Sequence, residues 1–187
     1  LILLFSPCIA NVFVDVKKHL LLDIRPNRSK KTVKAWITAL PDYKNIKVVT
    51  MDMWKPYKDA VKDILPDAVV VVDRFHVVKE ITAAMERVRK HIGAEAEDKD
   101  RKYLKRSRFL LLSNQDSLTK TQIDQRNEIF THFPDLKRPY YMKEMIRTTY
   151  EKETRADAEK WYEDLKEMFG DYEDVDEFLS VFTTIDN

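Results

Sequence analysis

Ala68-Val-Val-Val-Val-Asp-Arg-Phe-His76 is the stretch on which the fold turns. Its run of alanine and valines does not alternate with polar residues, as an interior parallel strand covered on both faces requires, and it stops abruptly at Asp73. Immediately upstream, Ile46-Lys-Val-Val-Thr-Met51 is a second β-branched run ending at Asp52, and Tyr57, Val61, Ile64 and Leu65 form a helical stripe between the two, closed by Pro66. Further upstream, Ser29 offers an N-cap to a helix over 30–40 with Val33, Trp36, Ile37 and Leu40 on one face, and Pro41 stops it. Asn11–Val16 and Leu20–Ile24 read as the arms of a hairpin joined by Lys17-Lys18-His19. Leu1–Ala10 is apolar but interrupted by Pro7 and not preceded by basic residues, so it reads as a cut or altered strand rather than a signal peptide. The order β-β-α-β-α-β predicts a mixed sheet with helices on its faces.

Downstream of His76 the strand signals end. Val77, Ile81, Met85, Val88 and Ile92 recur at helical spacing. Thr119 with Gln122 makes a capping box ahead of Ile123 and Phe130, and Thr154 with Asp157 opens a helix carrying Ala158, Trp161, Leu165 and Phe169. The second part of the chain is therefore expected to be all-helical.

Composition narrows the chemistry. Gly93 and Gly170 are the sole glycines, which excludes Gly-rich phosphate loops and the dinucleotide cofactors they hold. Cys8 is the sole cysteine, which excludes internal disulfides and multi-cysteine zinc sites and suits a reducing, cytoplasmic setting. No stretch reaches the roughly 18 apolar residues of a membrane span, so no membrane association is expected. The net charge of +1 conceals a gradient: +5 over residues 1–76, +4 over 77–113 and −8 over 114–187. Phosphates should prefer the first 113 residues.

Asp52 and Asp73 end two parallel strands, the address at which open α/β sheets place ligands, although either aspartate equally suits a cap on the following helix. In Asp73-Arg-Phe-His76 an acid, a guanidinium, an aromatic and an imidazole crowd into four residues. His19, His91 and His132 lie among solvated charges and read as structural. Arg101, Lys102, Lys105, Arg106 and Arg108 form the densest basic run, a solvated helix face or a phosphate contact, with Tyr103 available to stack. Trp36, Trp54 and Trp161 read as core or interface anchors. No G-x-S-x-G elbow occurs and Cys8 has no basic neighbour, so nucleophilic catalysis by Ser or Cys is set aside.

Val70-Val-Val-Asp-Arg-Phe-His-Val77 resembles the strand-end signature of insertion-sequence transposases of the acidic-triad, ribonuclease H-like class, in the ISL-three group. The resemblance extends through Val14-Asp15, the Arg25-Pro-x-Arg-Ser29 turn, Ala35-Trp36, Thr50-Met-Asp52, Tyr57 and Leu65-Pro-Asp-Ala68. It continues in Arg108-Phe-Leu-Leu-Leu112, Asn114, Leu118-Thr119 and Met142-Lys-Glu144, and so covers about residues 11–187.

The resemblance implies a partial ribonuclease H-like α/β portion over 1–78 and an all-helical insertion over 79–187. In that family three carboxylates hold Mg²⁺ (or Mn²⁺) for DNA cleavage and strand transfer, paired metals stabilising both the attacking and the leaving oxygen. Asp52 matches the second carboxylate and is the expected catalytic metal ligand. Asp73, Arg74 and His76 match the neighbouring motif and are expected to orient the site or position DNA. No acid in residues 1–10 matches the first carboxylate, and the distal glutamate lies beyond the match; Asp15 aligns instead with the acid of the second strand. The fragment is thus expected to bind no metal tightly and to be inactive alone, while its parent acts as a homo-oligomer on transposon ends and target DNA in the cytoplasm. Two other readings stay open: a noncatalytic remnant serving as a DNA-binding or helical interaction module, and a ribonuclease H-like nuclease.

Overall fold

The computed structural model describes residues 2–5, 10–170 and 176–186, the side chains of 2–5 and of Thr184 excepted. The expected roles of Pro7 and Cys8 fall outside the described residues. The chain divides into two compact units, residues 1–77 and 78–187.

The first unit is built on a five-stranded sheet in the order β3-β2-β1-β4-β5. β1 (Ile2–Phe5) occupies the centre, antiparallel to β2 (Ala10–Asp15) and parallel to β4 (Val48–Met51). The expected hairpin is β2 with β3 (Leu20–Pro26), turned through His19 in the left-handed region at φ 53°. β5 (Val69–Val72) pairs in parallel with β4.

Helix α1 (Lys30–Thr38) starts where the sequence places its cap: Ser29 Oγ accepts the Thr32 N–H at 3.1 Å, which satisfies one of the helix's otherwise orphaned amides. With α2 (Lys55–Ile64), which has Pro56 in its first turn, α1 closes one core with the sheet. Val33, Trp36 and Ile37 of α1 meet Tyr57, Ala60 and Val61 of α2, together with Phe13, Val49 and Met51 of the sheet. The Phe13 and Trp36 rings stack at 3.7 Å. Burying a large side chain of this kind is worth about 1.5–3 kcal/mol, so these residues dominate the unit's stability. The Tyr57 hydroxyl donates to buried Asn11 Oδ1, which ties α2 to β2. Asp63 receives Lys30 and Lys34 of α1, each at 2.9 Å, and their hydrogen bonds hold its carboxyl below the usual carboxylate range.

One expectation is overturned here. The valine run was read as an interior strand, yet among the described residues β5 pairs with β4 alone and is an edge, with Val69 51% and Val71 42% exposed. An unbroken apolar run records that both faces are apolar, not that both are covered. β3, at the opposite edge, likewise exposes Leu20, Leu21 and Ile24.

The second unit is helical throughout its described residues: α3 (Arg74–Glu95, which begins in the first unit), α4 (Asp98–Leu112), α5 (Lys120–His132), α6 (Lys137–Thr148), α7 (Arg155–Met168) and α8 (Asp176–Asp186). The Thr119–Gln122 capping box closes in both directions at 2.8 and 3.3 Å, and Thr154 Oγ1 accepts the Asp157 N–H at 3.1 Å. Its interior is ionic as well as apolar. Lys143, Glu144 and Arg147 of α6 and Arg126 of α5 are all at most 8% exposed. Lys143 and Glu144 pair directly, Lys143 Nζ donates to the Ser113 carbonyl at 2.6 Å, and Arg147 reaches Glu144 at 3.3 Å and Asp116 at 2.9 Å. Arg126 donates to Gln115 at 3.0 Å and to the Tyr140 hydroxyl at 3.3 Å, its guanidinium 5.0 Å from that ring's centre. The connection between α4 and α5 is thereby pinned to α6 through charge.

Candidate functional site

Asp52 follows the last residue of β4 and is 5% exposed. Both of its carboxylate oxygens are engaged: Arg28 Nη2 donates to Oδ2 and the Trp54 N–H donates to Oδ1, each at 3.1 Å. The turn before α1 aims Arg28. Asn27 adopts φ 64°, a conformation asparagine tolerates, and its side-chain oxygen accepts from Ser29 N at 3.1 Å and from Thr32 Oγ1 at 2.7 Å. Trp54 then stacks on the guanidinium at 4.6 Å, and its indole N–H donates to the Arg28 carbonyl at 3.4 Å. Trp54, expected as a core or interface anchor, is 43% exposed and serves as a cover for Arg28. Trp36 does sit in the core, where its indole also donates to Asp23 at 2.9 Å.

Asp73 stands level with Asp52. Met51 pairs with Val72, and the Asp73 N–H donates to the Met51 carbonyl at 2.8 Å, so the two aspartates follow adjacent parallel strands at the same height. Asp73 Oδ1 accepts the Phe75 N–H at 2.9 Å and so caps α3, while Oδ2 lies 3.5 Å from His76 Nδ1. The carboxylate thus combines the capping role with a hold on the imidazole. Arg74 and Phe75 are exposed.

The other positions a multi-carboxylate site needs are filled differently. β1 pairs Leu4 with Met51, which sets Phe5 level with Asp52 at the central strand's end. Asp15 lies opposite Ile2, and Ile2 is level with Val49, so Asp15 falls about 10 Å short of Asp52 along the strands at 3.3 Å per residue. It accepts the N–H groups of Lys17 and Lys18 at 3.0 and 3.1 Å, closing the hairpin turn. Among the described residues no three His, Cys, Asp or Glu side chains gather as a metal site. A pair of hard cations, each wanting several oxygen ligands, does not fit one carboxylate already held by an arginine.

The basic run of 101–108 separates into two faces of α4. Arg101 donates to the carbonyls of Gly93 and Ala96 and to Asp98, each at 3.1 Å, securing the turn out of α3. Arg108, a multiple of the helical repeat further along, reaches Glu86 of α3 at 3.2 Å. Arg89 donates to the same carboxylate at 2.8 and 2.9 Å, and the two arginines, Arg89 foremost, hold Glu86 below its ordinary pKa. Lys102, Lys105 and Arg106 face away and are exposed, engaged by no hydrogen bond or ion pair among the described residues. Tyr103 is not available to stack on a ligand: its ring lies against Phe133 at 6.3 Å and His132 at 6.0 Å. The exposed aromatic of this face is Phe109, 74% accessible.

Sequence reasoning missed Arg28, Phe109 and the Lys143–Glu144–Arg147 network. For Arg28 the usable signal was the Arg-Pro-x-Arg-Ser turn itself. His91 is paired rather than solitary, with Glu177 at 3.2 Å holding its pKa up.

Residues 7–187 match the family model of DDE transposases of the ISL3 type. The chain is 31% identical over 163 residues to the transposase for insertion sequence element IS1001 of Bordetella parapertussis, an alignment covering 82% of this chain and 40% of that protein. The chain therefore spans about 40% of the length of the curated relative it matches. No solved structure matches it. No described helix is long and apolar enough to cross a membrane. A mixed sheet with aspartates closing its fourth and fifth strands, the Asp-Arg-Phe-His turn and the helical unit after it agree with the match: the chain belongs to the ISL3-type DDE transposase family.

Proposed function

We propose that this chain is the middle of a transposase catalytic domain whose whole protein cleaves DNA and transfers the strand with Mg²⁺ or Mn²⁺, as a homo-oligomer on transposon ends and target. The observation that carries the reading is the placement of Asp52 and Asp73 side by side beyond the carboxyl ends of β4 and β5, where a parallel sheet presents ligands. Asp52 is the carboxylate that serves the metal in the whole protein. Asp73 and His76 are positioning residues: the former fixes the start of α3 and the orientation of the imidazole, which then orients its neighbours or the DNA. Arg74, exposed beside them, serves as a phosphate contact. Lys102, Lys105 and Arg106 supply an electrostatic contact to the DNA backbone, whereas Arg101 and Arg108 are committed to α3 and its turn.

In this chain Arg28 stands where a cation would, and no chemical step follows from its own residues. The purified 187-residue protein should therefore show no cleavage or strand transfer with either ion. Turnover of transposon-end DNA by it would refute the reading. In a full-length relative carrying this segment, Asp52→Asn should abolish activity at every metal concentration. His76→Ala should leave metal binding measurable by calorimetry and slow catalysis roughly 10–100-fold, the usual cost of losing a ligand's supporting partner. If the His76 variant loses metal and the Asp52 variant keeps it, the roles are reversed.

A second reading, a noncatalytic DNA-binding module, is favoured by one observation: the free cations of α4 need no metal site to act. Salt-dependent DNA binding without any metal-dependent cleavage in the full-length protein would select it.

A further inference from the structure

Phe109 is the most exposed large apolar side chain among the described residues, and its position is specific. On α4 the buried side is defined by Leu104, Ser107 and Leu111. Lys102, Lys105, Arg106 and Phe109 fall at i, i+3, i+4 and i+7, the spacing of one helical stripe, directly opposite. The helix thus presents three uncommitted cations and one bare phenyl ring on a single outward face. Arg101 and Arg108, which would have diluted that pattern, are withdrawn to α3 and its turn.

Resting on the reading of α4 as a DNA contact, we infer that Phe109 is a stacking platform for an unpaired DNA base, with Lys102, Lys105 and Arg106 holding the flanking phosphates. Charge complementarity selects a polyanion. The phenyl selects among polyanions. In an intact duplex the faces of the bases are already stacked on one another and present only phosphates and groove edges to a shallow helix face. A base that has left the stack offers a free π-face, and an aromatic ring beside backbone-binding cations is the combination that single-stranded DNA sites use. Tyr103, the other aromatic of the cluster, is consumed by packing on Phe133, so the stacking role falls to Phe109.

The test uses the full 187-residue chain and two labelled DNAs, a blunt 20-base-pair duplex and the same duplex with one unpaired 2-aminopurine. The wild type is expected to prefer the second DNA and to quench its fluorescence. Phe109→Ala should weaken binding to the unpaired-base DNA roughly 10-fold or more and abolish quenching, while leaving the blunt duplex and the salt slope unchanged. Phe109→Trp should restore both. Changing Lys102, Lys105 and Arg106 together to Ala should weaken binding to both DNAs and reduce the salt slope by about 2–3. If the triple variant behaves so but Phe109→Ala binds and quenches like the wild type, the stacking inference is wrong and the DNA reading of α4 stands. If the triple variant binds both DNAs as the wild type does, or the wild type binds neither, the DNA reading fails and the inference with it. If Phe109→Ala instead dissociates a sedimenting dimer with DNA affinity unchanged, the face belongs to a second copy and the inference is overturned.

Discussion

Asp52 and Glu144 are both buried carboxylates answered by arginine, yet they are built for opposite ends. Glu144 is 7% exposed and divides its two oxygens between Lys143 and Arg147, with the Ser113 carbonyl and Asp116 completing the group. Asp52 is held by one arginine that is itself about a quarter exposed and roofed by a half-exposed tryptophan. Removing one member of a fully buried ionic group strands the others in a poor solvent, whereas an arginine near the surface can turn to water. The first arrangement fixes a fold; the second can release its carboxylate.

The comparison breaks most severely at Glu144. Glu144→Ala should cost about 3–5 kcal/mol in urea-induced unfolding, because it leaves Lys143 buried without an anion beside Arg147, whose remaining partner Asp116 is largely exposed. Asp52→Asn should cost only about 1–2 kcal/mol, since the amide oxygen can still accept from Trp54 or Arg28. Equal losses for the two variants would make Asp52 as structural as Glu144.

A finer test is pH. Burial disfavours the Lys143 ammonium and lowers its pKa against the opposing pull of Glu144. A lysine whose folded pKa lies below its unfolded value releases its proton earlier when folded, so the unfolded state binds more protons in that interval and stability rises with pH there. The wild type should therefore gain stability as pH rises from the folded Lys143 pKa toward the ordinary lysine value of 10.5, and Lys143→Met should lose that gain. A flat difference between the two melting profiles would deny the ammonium its burial penalty.

The smallest effect is expected at Glu86, whose pKa is depressed by Arg89 and Arg108. A depressed carboxylate stabilises fully above its unfolded pKa and loses that contribution as pH falls through the folded one. Glu86→Gln should cost about 1 kcal/mol at neutral pH and nothing once the wild-type carboxylate is protonated. An undiminished difference at low pH would assign the loss to packing instead.

Local signals carried far in this sequence. The hairpin, the Ser29, Thr119 and Thr154 caps, and the aspartates closing β4 and β5 follow from periodicity and capping chemistry within a few residues. What failed was whatever depended on a distant partner. Arg28 and Asp52 are 24 residues apart, and no helical or strand period links them. Tyr103 and Phe109 differ in role because Phe133 arrives beside one and not the other. Lys143-Glu144 reads as a solvated pair in any local window, since burial of like and unlike charges together is decided by the Ser113–Asp116 turn packing over them. The edge position of β5 escaped for the same reason: strand order is a property of the sheet.

That edge has a practical side. On the side away from β4, Val69–Val72 offers backbone donors and acceptors that pair with no other strand among the described residues, flanked by half-exposed valines, the form of template that captures extended segments of other molecules. Asp67 and Asp73 bracket the run and act as gatekeepers, their charge making register-by-register stacking of identical strands costly. Amyloid-type assembly of this chain should accordingly be opposed by two aspartates, one of which is also proposed to position the site, so that neutralising Asp73 to test that proposal also removes a guard against aggregation.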